Sequence, residues 1–164
     1  MKKLLSVLIV LLFISSFVFA EVNINANDLK TRVFKRDLEI DANTVILANA
    51  SKSITVASLS APVVFNGVEY KNAIKLSGAG STTYRAIKLV ATAGESVTLL
   101  ASSSAAASAR SLLIIDEQGT EVGSLEAQAG NDPVKESSFT FTTDGTYYLY
   151  SKSGGINVYQ LTVK

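Results

Sequence analysis

The chain has 164 residues, no histidine and no cysteine, and 15 basic against 14 acidic side chains, a net charge of +1. Without histidine there is no Ser-His or Cys-His nucleophile pair, no usual zinc ligand and no side chain that titrates near neutral pH. Any catalysis would rest on carboxylates, Lys, Arg or Tyr. The near-neutral balance speaks against nucleic acid as a partner, because phosphate binding calls for a clustered cationic field.

Residues 1–20 read as a secretory signal peptide: Lys2 and Lys3, an apolar run from Leu4 to Ile14, then Phe17-Val18-Phe19-Ala20. The run is too short for a convincing membrane span. Setting aside Lys2 and Lys3 leaves thirteen basic residues against 14 acidic ones, a net charge of −1. The expected mature protein is exported, whether secreted, periplasmic or at the cell surface. It has no membrane span and folds without disulfides. Residues 21–32, polar and Asn-rich, read as a lead-in segment, and 33–164 as a single domain large enough to bury a core.

Val33 to Ile40, Thr44 to Ala48 and Ile54 to Leu59 are β-prone runs separated by turn-forming Asp41-Ala42-Asn43 and Asn49 to Ser53. Pro62 opens Val63-Val64-Phe65. Asn66-Gly67, the dipeptide most favoured in a type I′ turn, returns the chain as Val68-Glu69-Tyr70. Ala73 to Ser77 is a further strand, followed by a flexible Gly78-Ala79-Gly80-Ser81 loop. That lone GxG lacks the lysine and helix start of a phosphate loop.

In Arg85 to Ala91 the residues Ile87 and Leu89 fall on one face, and in Ser96 to Ser102 the inward set is Val97, Leu99 and Ala101. The Ser/Ala-rich stretch from Ser102 to Ala109 reads as a loop. Leu112 to Ile115 has the continuous apolar character of a strand covered on both faces, with Glu121 to Glu126 returning beside it. Phe139 and Phe141 alternate with threonines ahead of a turn at Asp144-Gly145. Gly145 to Val163 then reads as an aromatic hairpin around Lys152 to Gly155. Short strands at regular spacing with almost no helical period predict an all-β fold, an antiparallel two-sheet β-sandwich of jelly-roll type.

Four stretches carry a family likeness: FNGVEYKNAIKLSGAGS (Phe65 to Ser81), YRAIKLVATAGESVTLLASSS (Tyr84 to Ser104), ARSLLIIDEQGTEVG (Ala109 to Gly123) and DGTYYLYSKSGGINVYQLTV (Asp144 to Val163). In this order they resemble the non-catalytic β-sandwich modules attached to secreted bacterial pectate lyases and pectinesterases. The resemblance runs from about Lys52 onward. It implies a carbohydrate-binding or accessory role beside a polysaccharide-active enzyme.

Sugar recognition needs a flat apolar surface for the ring and fixed polar groups for its hydroxyls, and tyrosine suits both. Tyr148 and Tyr150 share one strand face, roughly 7 Å apart, with Tyr147 and Leu149 on the other. If Ser151 pairs with Ile156, Tyr150 lies opposite Asn157 and Tyr148 opposite Tyr159, giving a polar aromatic cluster. A slip of one residue makes the tyrosines core instead, and both alternatives stand at this level. Arg85 and Arg110 each begin an apolar strand. They either grip the carboxylates of an acidic sugar bidentately or pair with Asp116, Asp144 or Glu126 to close the core. Tyr84, after the Gly-rich loop, is the candidate for an exposed contact.

Asp41, Asp116, Asp132 and Asp144 sit in expected turns, where carboxylates either hold calcium or cap the backbone. No DxDxDG loop is present, so no cofactor is expected. The ligand-binding set is Tyr84, Arg85, Arg110, Tyr148, Tyr150, Asn157 and Tyr159, with a polysaccharide, neutral or acidic, as partner. The alternative is a self-associating surface protein packed through exposed strand edges.

Overall fold

The computed structural model describes residues 21–164; the signal peptide expected over 1–20 lies outside them. The strands are β1 (Val22–Asn25), β2 (Arg32–Phe34), β3 (Leu38–Asp41), β4 (Thr44–Leu47), β5 (Ile54–Phe65), β6 (Val68–Leu76), β7 (Ala86–Ala91), β8 (Ser96–Ser103), β9 (Arg110–Asp116), β10 (Glu121–Ala127), β11 (Glu136–Thr140), β12 (Gly145–Tyr150) and β13 (Ile156–Val163). They form two antiparallel sheets, the sandwich that the strand spacing predicts. One has seven strands in the order β11-β8-β13-β6-β5-β2, with β1 also on β13; the other has the order β10-β9-β12-β7-β4-β3. Among the described residues no helix is long and apolar enough to cross a membrane.

Period-2 alternation fills the space between the sheets. Ile46, Ile87, Leu89, Leu112, Ile114 and Leu149 of the six-stranded sheet meet Ile54, Val56, Ile74, Leu99, Val158 and Leu161 of the other, all within one buried cluster. The inward sets expected for β7 and β8 are the ones observed. Asn66 and Gly67 have φ of 47° and 78°, the paired positive values of a type I′ turn, so the β5–β6 hairpin follows its dipeptide.

Three expectations are corrected. Gly145 to Val163 is not a hairpin: β12 pairs with β7 and β9, whereas β13 pairs with β8, β6 and β1 in the opposite sheet. Either partnership satisfies the same Tyr/Val/Ile pattern, and pairing each strand on both sides within its own sheet wins over a local turn. Val33 to Ile40 is likewise broken, with β2 in one sheet and β3 in the other. Ile54 to Phe65 is continuous instead of two strands, with its register shifted between Ser58 and Val63. There Leu59 to Pro62 lie against Lys71 alone, which places Pro62 where no ladder donor is needed.

The segment read as a lead-in contributes β1, whose Val22 and Ile24 enter the core. Behind it Asn27 ties the chain to β6: its Oδ1 accepts from the amides of Lys71 (2.8 Å) and Asn72 (3.1 Å), and its Nδ2 donates to the Glu69 carbonyl (2.9 Å). Asn27→Ala removes three bonds, of which the one to Asn72 is part-buried, and a loss of about 1 kcal/mol is expected from urea denaturation. A midpoint equal to wild type would show that β1 docks without this contact.

Candidate functional site

The five residues 151–155 carry the chain from one sheet to the other. Ser151 is buried, and its Oγ accepts from the amides of Ser153 and Gly154 (3.3 Å each). Its carbonyl takes the Gly80 amide at 2.8 Å. Arg110, at the start of β9, lays its guanidinium over Gly154; Nη1 donates to the Gly155 carbonyl (2.7 Å) and to Ser104 Oγ (2.8 Å). A Cβ on Gly154 would collide with Cζ of Arg110, so glycine is required for this close approach.

Arg110 therefore sits at the end of the sandwich on neutral acceptors, where the structural alternative expected carboxylates. Ion pairs with Asp116, Asp144 or Glu126 are not formed, the ion pairs among the described residues being Lys71–Glu69, Lys152–Glu121 and Lys164–Glu21. Arg85 also departs from the expected pattern. Its φ of 49° takes it out of β7 and off the face of Ile87 and Leu89. Its amide donates to the Leu47 carbonyl (2.7 Å) and its Nε to the Ser53 carbonyl (3.3 Å). Nη1 lies 3.1 Å from where a Gly78 Cβ would stand.

Gly78, Gly155 and Ser104 are neighbours at one end of a groove of about 580 Å³ over the seven-stranded sheet. Lys75 of β6, Ser102 of β8 and Asn157 of β13, aligned by register, all line it, as does Tyr159. The irregular stretch of β5 from Leu59 to Val63 lines one side, and Ala106, Gly130 and Asn131 the loop side. Beneath lies a small apolar cluster of Tyr70, Ala73, Leu100 and Tyr159. Tyr159 is buried, with its hydroxyl 2.7 Å from Ser102 Oγ, so it contributes floor and not an exposed ring. The β13 register shift between Val158 and Gln160 holds it there.

Tyr148 and Tyr150 lie elsewhere. Tyr147 and Leu149 point into the core, Tyr147 against Phe141 with ring centroids 4.4 Å apart, so Tyr148 and Tyr150 face outward on the six-stranded sheet, half-buried. They are not opposite Tyr159 and Asn157. Tyr148 pairs with Lys88 and Ile115, and Tyr150 with Leu113. Tyr84 closes a Ser81–Tyr84 bridge beside Gly80, whose backbone is packed on Tyr150. The expected set thus divides into Asn157 and Tyr159 on one sheet, Tyr148 and Tyr150 on the other, and the two arginines between.

The tyrosines also differ in their hydroxyls. Those of Tyr70, Tyr147 and Tyr159 bond to Gln160, Thr143 and Ser102, while those of Tyr84, Tyr148 and Tyr150 have no protein partner among the described residues. Burial, with Glu136 adding to it, pushes the Tyr70 phenol above its ordinary range. Three turn aspartates cap backbone amides: Asp41 that of Asn43, Asp116 that of Thr120 and Asp144 that of Ala93. Lys75, Ser102 and Asn131 were missed from sequence. Ser102 stands where the strand pattern gives way to Ser/Ala-rich sequence, and nothing local marks the β5 irregularity beyond Pro62.

No family model and no curated protein matches the chain. Solved structures similar to it include a family 35 carbohydrate binding module from Clostridium thermocellum (TM-score 0.47, 13% identity, covering 88% of this chain and 98% of that one). Another is exo-beta-1,3-galactanase from Phanerochaete chrysosporium with galactose (0.47, 12%, 89% and 30%). A third is CsCBM6-3 from Clostridium stercorarium in complex with cellobiose (0.45, 17%, 87% and 92%). The likeness is one of strand arrangement.

Two outcomes follow from the crossover and its floor. Arg110→Ala and Gly154→Ala each lose the same clamp, at about 2 kcal/mol apiece. The double variant is expected to cost clearly less than their sum in a denaturation cycle, and additivity would show that Gly154 does not seat the guanidinium. With its phenol raised, Tyr70 keeps its proton in the folded state while the unfolded chain begins to ionise near pH ~10. Stability should therefore fall as pH rises above that point, and Tyr70→Phe should flatten the fall. An unchanged slope between pH 9 and 11 would contradict the assignment.

Proposed function

We propose that this chain is an exported, non-catalytic carbohydrate-binding module that takes a polysaccharide in the groove over the seven-stranded sheet, with acidic, pectin-type chains preferred. The observation that carries this reading is the lining of the groove. It offers an ammonium, an amide and a hydroxyl from Lys75, Asn157 and Ser104 beside apolar Leu59 and Val63, over buried Ser102 and Tyr159 whose hydroxyls bond each other, the mixture that a sugar with one polar edge and one C–H face requires.

Among the described residues no carboxylate lines the groove, so the acid and base of glycoside hydrolysis have no place among them. Lys75 is the one charged liner among the described residues, and Arg110 and Arg85 back the groove's end through Ser104, Gly155 and Gly78. This positive character favours a uronate. Self-association through sheet edges has less support: Arg32, Glu39, Glu121 and Glu136 put exposed charge on the four outer strands.

Affinity electrophoresis in polygalacturonate, pectin, xylan and glucomannan tests the reading. Retardation is expected, strongest in polygalacturonate and weakened by salt. Asn157→Ala with Lys75→Ala should abolish most of it, on the order of a tenfold or greater loss of affinity. Unchanged migration of wild type in all four gels would end the proposal.

A further inference from the structure

The crossover at 151–155 gives the outward tyrosines a surface of their own. Tyr148 and Tyr150 stand two residues apart on β12, a central strand of the six-stranded sheet, on the side of the molecule away from the groove. Both residues are partly buried, and their hydroxyls are free of protein partners among the described residues. Each of the three buried tyrosines, Tyr70, Tyr147 and Tyr159, has a partner for its hydroxyl, so the unpaired hydroxyls mark rings whose polar ends remain for solvent or ligand.

The surroundings are mixed, and exposed Val90, opposite Thr146, adds an apolar group on the same side. Leu113 and buried Ile115 support the rings from β9, while Lys88 of β7 and Thr146 of β12 bring an ammonium and a hydroxyl onto the same side. Flat aromatic faces edged by polar groups suit a ligand that presents C–H faces and hydroxyls in alternation. An interface to another protein has instead a core depleted of charge, and Lys88 lies directly beside Tyr148.

From this we infer that the outer face of the six-stranded sheet is a second glycan-stacking surface, built on Tyr148 and Tyr150, so that one copy of the chain holds two polysaccharide strands at once. The inference rests on the groove being a sugar site. Packed sheets lie about 10 Å apart, and the two surfaces face away from each other, so one stretch of polymer cannot occupy both. Bound to long polymer, the protein acts as a cross-link, and its apparent affinity exceeds that of either face alone.

Calorimetric titration with galacturonate and xylose hexamers, paired with turbidity in polygalacturonate and xylan, tests this. Wild type is expected to bind two hexamers and to cloud the polymer. Tyr148→Ala with Tyr150→Ala should bind one hexamer, with at least a tenfold loss at the second site, and leave the polymer clear. The corresponding Phe pair, which keeps the rings and guards against a folding defect, should retain two. A wild-type stoichiometry of one, unaffected by the tyrosine variants but lost with Asn157→Ala and Lys75→Ala, overturns the second surface and leaves the groove standing. Loss with the tyrosine variants alone overturns both bivalence and the groove reading. Binding of neither hexamer ends both proposals, and dimerisation without glycan that the Ala pair abolishes assigns the face to a second copy and overturns the inference.

Discussion

The contact on which the arrangement of this molecule depends is the guanidinium of Arg110 lying on Gly154 and bonded to Gly155 and Ser104. A five-residue link between two strands of similar composition can close a hairpin or cross between sheets. Here the crossing is held by a charged donor that finds two neutral acceptors at 2.7 and 2.8 Å, and by a glycine that lets it approach. Charge-assisted bonds of this kind are about twice as strong as neutral ones, and among the described residues no carboxylate forms an ion pair with the guanidinium.

Placing β12 and β13 in opposite sheets separates side chains that adjoin in sequence. Residues that lie close along the chain, Tyr148, Tyr150, Asn157 and Tyr159, are distributed over two outer surfaces with different chemistry. One is a polar groove over a small apolar floor, bounded by the irregular part of β5. The other is a flatter, aromatic surface on the strand that contributes Tyr147 and Leu149 to the core. The groove floor and the aromatic surface are built on strands, so those side chains are held by sheet register and by packing beneath them.

Much of the fold is legible in the residues because it is governed locally. The positive φ values of Asn66 and Gly67 come from turn sterics, and the inward sides of β7 and β8 come from strict alternation. The partner of a strand is a tertiary matter, which is why Gly145 to Val163 reads as a hairpin and folds as a crossing. The site was less legible for the same reason. Asn157 is identifiable as a polar residue in an aromatic strand, but Lys75 and Ser102 join it only when β6 and β8 flank β13. Nor does anything in the sequence around Arg110 indicate that its partners are a serine hydroxyl and a carbonyl and not an acid.

The central claim is that an acidic glycan lies along the groove floor formed by β6, β13 and β8. Amide chemical-shift mapping of the folded domain during titration with galacturonate hexamer tests it most directly. The account predicts the largest shifts at Lys75, Ser102 and Asn157, together with Ser104 and Asn131 at the rim. Saturable shifts that leave all five of these amides unmoved would contradict it.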